Sequence, residues 1–220
     1  MGENREKIAE LYYRSGSIRF GAFRLSVHID NPDLPLSPYY LHYPDSGEDG
    51  SELLPELYSL VGQEFYDICE SQSTPIRPTR IAGVPKGAMP LADAHARLYE
   101  NYPKNLLVFT KKQDKNKTEF LGPYGEFVEG EELVIDEDHT SGGRNKKLIR
   151  AVALSGGLVV SNMLTVVDRQ QGGVENMAKE GVRLLSIFTM DEILRIGAAT
   201  GFVPHQQLDE ALEYRALNQF

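Results

Sequence analysis

The chain has 220 residues, with 23 Lys plus Arg against 32 Asp plus Glu, a formal charge of -9 and one cysteine. That length buries one sizeable core, which excludes a disulfide-stapled miniprotein and points to one domain, or one domain with a small appendage. The acidic balance argues against a general grip on nucleic acid or anionic lipid, and Cys69 alone forms neither an internal disulfide nor a Cys/His zinc framework.

Residues 1–16 are charged and amphipathic and lack the apolar core of a secretory signal, and Glu6 stands where a myristoylation motif needs Ser or Thr. A cytoplasmic protein is expected. Ile8, Leu11 and Tyr12 predict a helix over 4–14, stopped by Gly16, and 17–27 alternates as a strand. Residues 30–51 are rich in Pro, Asp, Gly and Ser and read as a long loop with "SPYYL" as an extended piece inside it. A helix at 52–70 follows. Strands are then expected at 79–84, 105–110, 131–138, 158–168 and 183–189. Helices are expected at 88–100, 143–156, 173–181 and 189–198, the last opened by a Thr189/Glu192 capping box. The apolar stretch 151–167 is broken by Ser155, Gly156, Gly157 and Asn162, so it reads as a helix end and a strand, not a membrane span. Residues 200–220 offer Leu208, Ala211, Leu212 and Ala216 as a helical face for packing or dimerisation. Alternating strands and helices predict an α/β fold with a mainly parallel sheet, in which ligands sit at the carboxyl ends of the strands.

Four turns occupy such ends. In "LVIDEDHTSGGR" a buried strand runs into Asp136, Glu137 and Asp138, then a turn of Thr140, Ser141, Gly142 and Gly143, then a helix from Arg144. Backbone N–H groups converging at that helix start suit a phosphate, whereas the acids suit ribose hydroxyls or metal-bound water. An EF-hand fails on Ser141 and on Lys147 or Leu148, and no Walker loop occurs; an ordinary acidic loop is the alternative. In "RIAGVPKGAMPLA", Gly83, Pro85, Lys86 and Gly87 separate a strand from a helix, and Lys86 either meets a pyrophosphate or is a solvated lysine in a turn. "TKKQDKNKTEFLGPYGEF" carries Lys111, Lys112, Lys115 and Lys117, as a solvated charge run or as a mobile basic loop closing over a polyphosphate. In "VVDRQQGG", Arg169 either presents a fork to a carboxylate or planar base, or pairs with Asp168 on the surface.

Taken together and in order, these segments resemble the type I phosphoribosyltransferases, and more narrowly the orotate phosphoribosyltransferases. "LVIDEDHTSGG" looks like the family's phosphoribosyl diphosphate (PRPP) motif. "FGAFRL" with "SPYYL", "IAGVPKGAMPLA", the lysine stretch and "VVDRQQGGVENMAKEGVRLLSIFTMDEIL" match further segments over residues 15–195. The resemblance implies a core at 61–220 and a small N-terminal hood at 1–60 that recognises the base. It implies PRPP binding by Pro85, Lys86, Lys111, Lys112, Lys115, Lys117 and the whole run Asp136, Glu137, Asp138, His139, Thr140, Ser141, Gly142, Gly143 and Arg144. Orotate would meet Tyr40, Leu41, Thr140 and Arg169. Lys115 would face the leaving group, Asp136 and Glu137 would orient the ribose, and Lys112 would reach a neighbouring subunit in a homodimer. Mg2+ is the implied cofactor, held through PRPP and water with no direct protein ligand.

The chain departs from the family pattern at Ser26, where Lys is usual, in a longer stretch before "SPYY", at Asp138 and His139, where apolar residues are usual, and at Lys117, where His is usual. The implied reaction gives orotidine 5'-phosphate and pyrophosphate. A phosphoribosyltransferase for another base and a non-catalytic PRPP-sensing regulator are the alternatives.

Overall fold

The structure is a computed structural model; its described residues are 2–25, 28, 32–44, 47–114, 117–142 and 144–218, and at 113, 114, 117 and 144 the description is of backbone alone. Ser26, Lys115 and Gly143 lie outside the described residues.

Helix α1 (Glu3–Arg14) buries Ile8, Leu11 and Tyr12, with Glu3 and Glu6 in its first turn and Arg14 in its last, the charge order that complements a helix dipole. Strands β1 (Ile18–Phe23) and β2 (Ser37–Leu41) pair antiparallel, with Phe20 opposite Tyr39 and Arg19 opposite Tyr40. The extended piece expected inside the long loop is thus a paired strand. Helix α2 (Leu54–Glu70) buries Leu57, Val61, Phe65 and Cys69, one stripe at three- and four-residue spacing. The expected hood boundary at residue 60 falls in the middle of this helix. One core cluster draws on both sides of it, from Ile8 and Tyr39 to Phe188 and Tyr214.

A four-stranded parallel sheet follows in the order β3 (Arg80–Gly83), β6 (Glu132–Thr140), β7 (Val159–Asp168), β8 (Arg183–Thr189). Its strands are near-continuous apolar runs, as strands covered on both faces must be. Helices α3 (Met89–Ala96), α4 (Arg144–Ser155) and α5 (Gly173–Lys179) lie in the crossovers between these strands, and α6 (Met190–Ala199) follows β8. The capping box at Thr189 is present, with Glu192 N donating to Thr189 Oγ1 at 3.2 Å and Thr189 N to Glu192 Oε2 at 2.7 Å. Helix α7 (His205–Leu217) closes the described chain against β2 through the Tyr39 and Tyr214 rings.

The polar stretch at 110–127 differs from its expectation as a loop. It forms an antiparallel ribbon of β4 (Val108–Asp114) and β5 (Lys117–Tyr124), with Lys111 opposite Phe120 and Lys112 opposite Glu119. Buried Phe109 and Phe120 anchor the ribbon while its lysines mask the strand pattern. Just before it, the chain runs briefly parallel to β3. Ile81 N donates to Asn105 O and Leu107 N to Ile81 O, both at 2.8 Å.

Candidate active site

Successive side chains of a strand point to opposite faces, so β6 divides its acids between two helix layers. Asp136 is fully buried on the α3 side, where its Oδ2 lies 2.9 Å from His95 Nδ1 and its Oδ1 has no partner among the described residues. Burial pushes the Asp136 carboxyl up, with His95 pulling against it. Glu137 is buried on the α4 side, where Lys146 Nζ donates to its Oε2 at 3.0 Å and to His139 O at 3.3 Å. Burial raises the Glu137 carboxyl to about 8 despite Lys146. Neither His95 nor Lys146 was singled out from the sequence: a histidine in a helix and a lysine in a basic helix start carry no local sign that a carboxylate 41 or 9 positions away needs them.

The Lys146 pair gives a pH-dependent prediction. Folding moves Glu137 from its usual 4.5 to about 8, so the folded state holds the extra proton over that interval. Stability from this group is complete below the unfolded value and is lost as pH rises through the folded one. Lys146→Met removes the charge that favours ionised Glu137. Its stability deficit is therefore expected to be small at pH about 5 and to grow to about 3 kcal/mol at pH about 9, read from urea midpoints. An equal deficit at both pH values would refute the pairing role.

Asp138 returns to the α3 side and faces a 340 Å³ pocket between Tyr40, Leu41 and Tyr43 on one side and Lys86, Gly87 and His139 on the other. His139 Nδ1 lies 3.1 Å from Asp138 Oδ1, an ion-pair distance without hydrogen-bond geometry, and the His139 amide donates to the same oxygen at 2.7 Å. Burial raises the Asp138 carboxyl, but the His139 ring, Glu137 and the His139 amide outweigh it and leave it below the usual carboxylate range. A Cβ at position 87 would sit 2.5 Å from Asp138 Oδ2, which accounts for glycine beside Lys86. Pro85 is buried, and Lys86 is exposed at the pocket mouth.

Thr140 and Arg169 meet at the ends of β6 and β7, where Arg169 N donates to Thr140 O at 2.8 Å. Thr140 is fully buried and Arg169 is 3% exposed, and among the described residues Thr140 Oγ1 and Arg169 Nε and Nη2 have no partner. Asp168 does not pair with it on the surface: its Oδ1 accepts from Gln170 N at 2.9 Å. The turn after Thr140 is held from α5. Asn176 Nδ2 donates to Gly142 O at 3.1 Å, and Gly173 lies so close that a Cβ there would be 2.3 Å from Ser141 O. Gly173 and Asn176 of the fourth turn thus brace the first one. Arg144, described by backbone alone, opens α4.

Lys111 is half-buried and Lys112 exposed on β4, and neither lines the pocket; Lys117 is described by backbone alone and Lys115 lies outside the described residues. Tyr40 stacks with Phe23 at 5.5 Å and His42 at 5.3 Å, and Leu41 is buried beside it. Among the described residues no group of three His, Cys, Asp or Glu stands together as a metal site.

No family model matches the chain. It is 31% identical over 196 residues to the orotate phosphoribosyltransferase of Methanocaldococcus jannaschii, taking in 87% of this chain and 97% of that protein. With the orotate phosphoribosyltransferase of Pyrococcus abyssi the identity is 28% over 191 residues, 86% of this chain and 94% of that one. Among solved structures, orotate phosphoribosyltransferase from Aeropyrum pernix superposes with a TM-score of 0.64 at 24% identity, covering 90% of this chain and 99% of that chain. Leishmania donovani UMP synthase superposes with a TM-score of 0.75 at 22% identity, covering 98% of this chain and 43% of that one. At those identities the solved structures speak to the fold alone.

Proposed function

The chain belongs to the orotate phosphoribosyltransferase family, and from that premise we propose that it transfers the phosphoribosyl group of PRPP to N1 of orotate, giving orotidine 5'-phosphate and pyrophosphate. The observation that carries this reading is the pair of buried, unpartnered groups at adjacent strand ends, the Thr140 hydroxyl and the Arg169 fork. A planar base with a carboxylate would satisfy both, and a buried donor left unsatisfied is otherwise costly.

The remaining roles follow chemically. The turn Thr140, Ser141, Gly142, Gly143 and Arg144 precedes α4 and suits the 5'-phosphate at a helix start. Asp136 Oδ1, with its other oxygen held by His95, can accept from a ribose hydroxyl. Glu137, held by Lys146 on the opposite face of β6, would reach the ribose only from that side, and Asp138 and His139 are the residues of this run that line the pocket where PRPP would lie. Lys86 would face the diphosphate, with Lys111 and Lys117 of the ribbon, and Lys115 in the sequence between its strands, as the further basic groups. As the C1'–O bond breaks, its electron pair leaves with diphosphate, and the N1 lone pair of orotate forms the new bond as the N1 proton departs. These residues act by positioning both partners, stabilising the leaving charge and excluding water.

The residues present fit magnesium only as an ion carried by diphosphate oxygens and water, because Asp136 and Glu137 already face His95 and Lys146 and no cluster of three ligands stands together among the described residues. When bound, the ion would neutralise charge on the leaving group. No described helix is long and apolar enough to cross a membrane. A cytoplasmic homodimer completes the proposal, with the exposed Lys112 reaching the partner's site.

The test is pyrophosphate release from PRPP and magnesium with orotate, uracil, adenine, guanine, hypoxanthine and nicotinate in parallel. Release is expected with orotate. Release with another base and none with orotate would overturn the assignment; tight PRPP binding without release from any base would favour a sensor.

A further inference from the structure

Arg169 is buried, and its compensation comes from an unusual direction. The guanidinium carbon lies 4.9 Å from the centre of the Tyr39 ring, so the cation sits over the face of an aromatic ring. A carboxylate partner would consume the fork of N–H groups, whereas here Nε and Nη2 have no partner among the described residues. Tyr39 is itself fully buried on β2, and its ring meets that of Tyr214 edge-on at 6.0 Å and 87°. Tyr214 belongs to α7. The same helix is tied to the Arg169 turn at its far end, where Gln171 Nε2 donates to Asn218 O at 3.2 Å and Asn218 Nδ2 donates to Tyr214 O at 2.7 Å. Gln170 continues the link, its Oε1 accepting from Asp191 N at 3.0 Å, while Arg215 Nε donates to Asp191 Oδ1 at 3.0 Å.

We propose that Tyr39 and Tyr214 are positioning residues for base recognition: Tyr214 on α7 backs the Tyr39 ring, which holds the Arg169 guanidinium in place with its fork open toward the ligand. The C-terminal helix is then part of the base site, although it touches no base. The inference rests on the assignment of Arg169 to orotate, and deepens it. Tyr39, and not its exposed neighbour Tyr40, is the hood residue that sets the geometry of the base contact.

The experiment measures by calorimetry the affinities of orotidine 5'-phosphate and of ribose 5-phosphate for the full chain, in wild type and in Tyr39→Leu, Tyr214→Leu, Tyr39→Phe and Tyr214→Phe. The ratio of the two affinities reports the base alone. Loss of the stacked ring in Tyr39→Leu should shrink that ratio about tenfold, with a smaller loss in Tyr214→Leu. Ribose 5-phosphate affinity should stay within about twofold, and the Phe variants, which keep the rings, should match wild type. Parallel loss of both ligands, an unchanged ratio in the Leu variants, or a shrunken ratio in the Phe variants would overturn the proposal. The Phe pair decides the matter if the Leu variants do not fold. A wild type with no preference for orotidine 5'-phosphate would overturn the orotate assignment and this inference together; a preference that the Leu variants retain would overturn the inference alone.

Discussion

An Arg169→Leu variant is expected to melt at a higher temperature than wild type without ligand, while kcat/KM for orotate falls about 10²- to 10³-fold. Both halves have one cause. The guanidinium is 3% exposed, and two of its nitrogens have no partner among the described residues, so the fold carries a desolvated charge that lies over the Tyr39 ring. A leucine removes that cost, and with it the fork that would read a carboxylate. Arg169→Lys should not restore activity, since an ammonium cannot present two parallel N–H groups. Scanning calorimetry beside steady-state kinetics checks the pair of effects. A variant that is less stable yet fully active would show that the arginine serves the fold.

Gly173→Ala is the second large effect, and it acts on the other substrate. The new methyl would lie 2.3 Å from both Ser141 O and Thr140 Cγ2, too close for either to remain in place. Ser141 O is backbone, so relief comes from moving the turn assigned to the 5'-phosphate. Overpacking of this kind costs roughly 1–3 kcal/mol. A displacement of about 1 Å at a positioning turn is expected to lower kcat/KM for PRPP about 10²-fold. Kinetics with PRPP varied at fixed orotate, together with a urea midpoint, would show it; a variant with normal KM for PRPP would remove the turn from phosphate binding.

What the sequence made legible was what local pattern encodes. The apolar runs of β6, β7 and β8 and the helical stripes of α1 and α2 announced an α/β core, and strand ends followed by glycine-rich turns announced where chemistry sits. Thr140 and Arg169 were named together, and the structure brings their backbones to 2.8 Å. The illegible part was pairing at a distance. Nothing near Asp136 foretells His95, and nothing near Tyr39 foretells Tyr214, because such partners are chosen by the packing of layers. The lysine stretch misled for a different reason. Its strand alternation is carried by long polar side chains on a narrow ribbon, so charge concealed buried Phe120, which with Phe109 of the expected strand 105–110 fixes the ribbon. In "VVDRQQGGVEN" the glycines and Asn176 were legible as a signature, but their service to a turn more than 30 positions earlier appears only in three dimensions.

The brief run of Asn105 to Leu107 alongside β3 has a colloidal consequence. A parallel sheet that ended there in a long bare strand would offer a row of open N–H and C=O groups to any other copy of the chain. Here that border is only about one strand-turn long before the chain peels away and spends its hydrogen bonds on its own ribbon. The departure that carries the lysines outward therefore also blunts the sheet against edge-to-edge aggregation, and a substitution that straightened the path at Leu107 and Val108 would trade a loading arm for an adhesive seam.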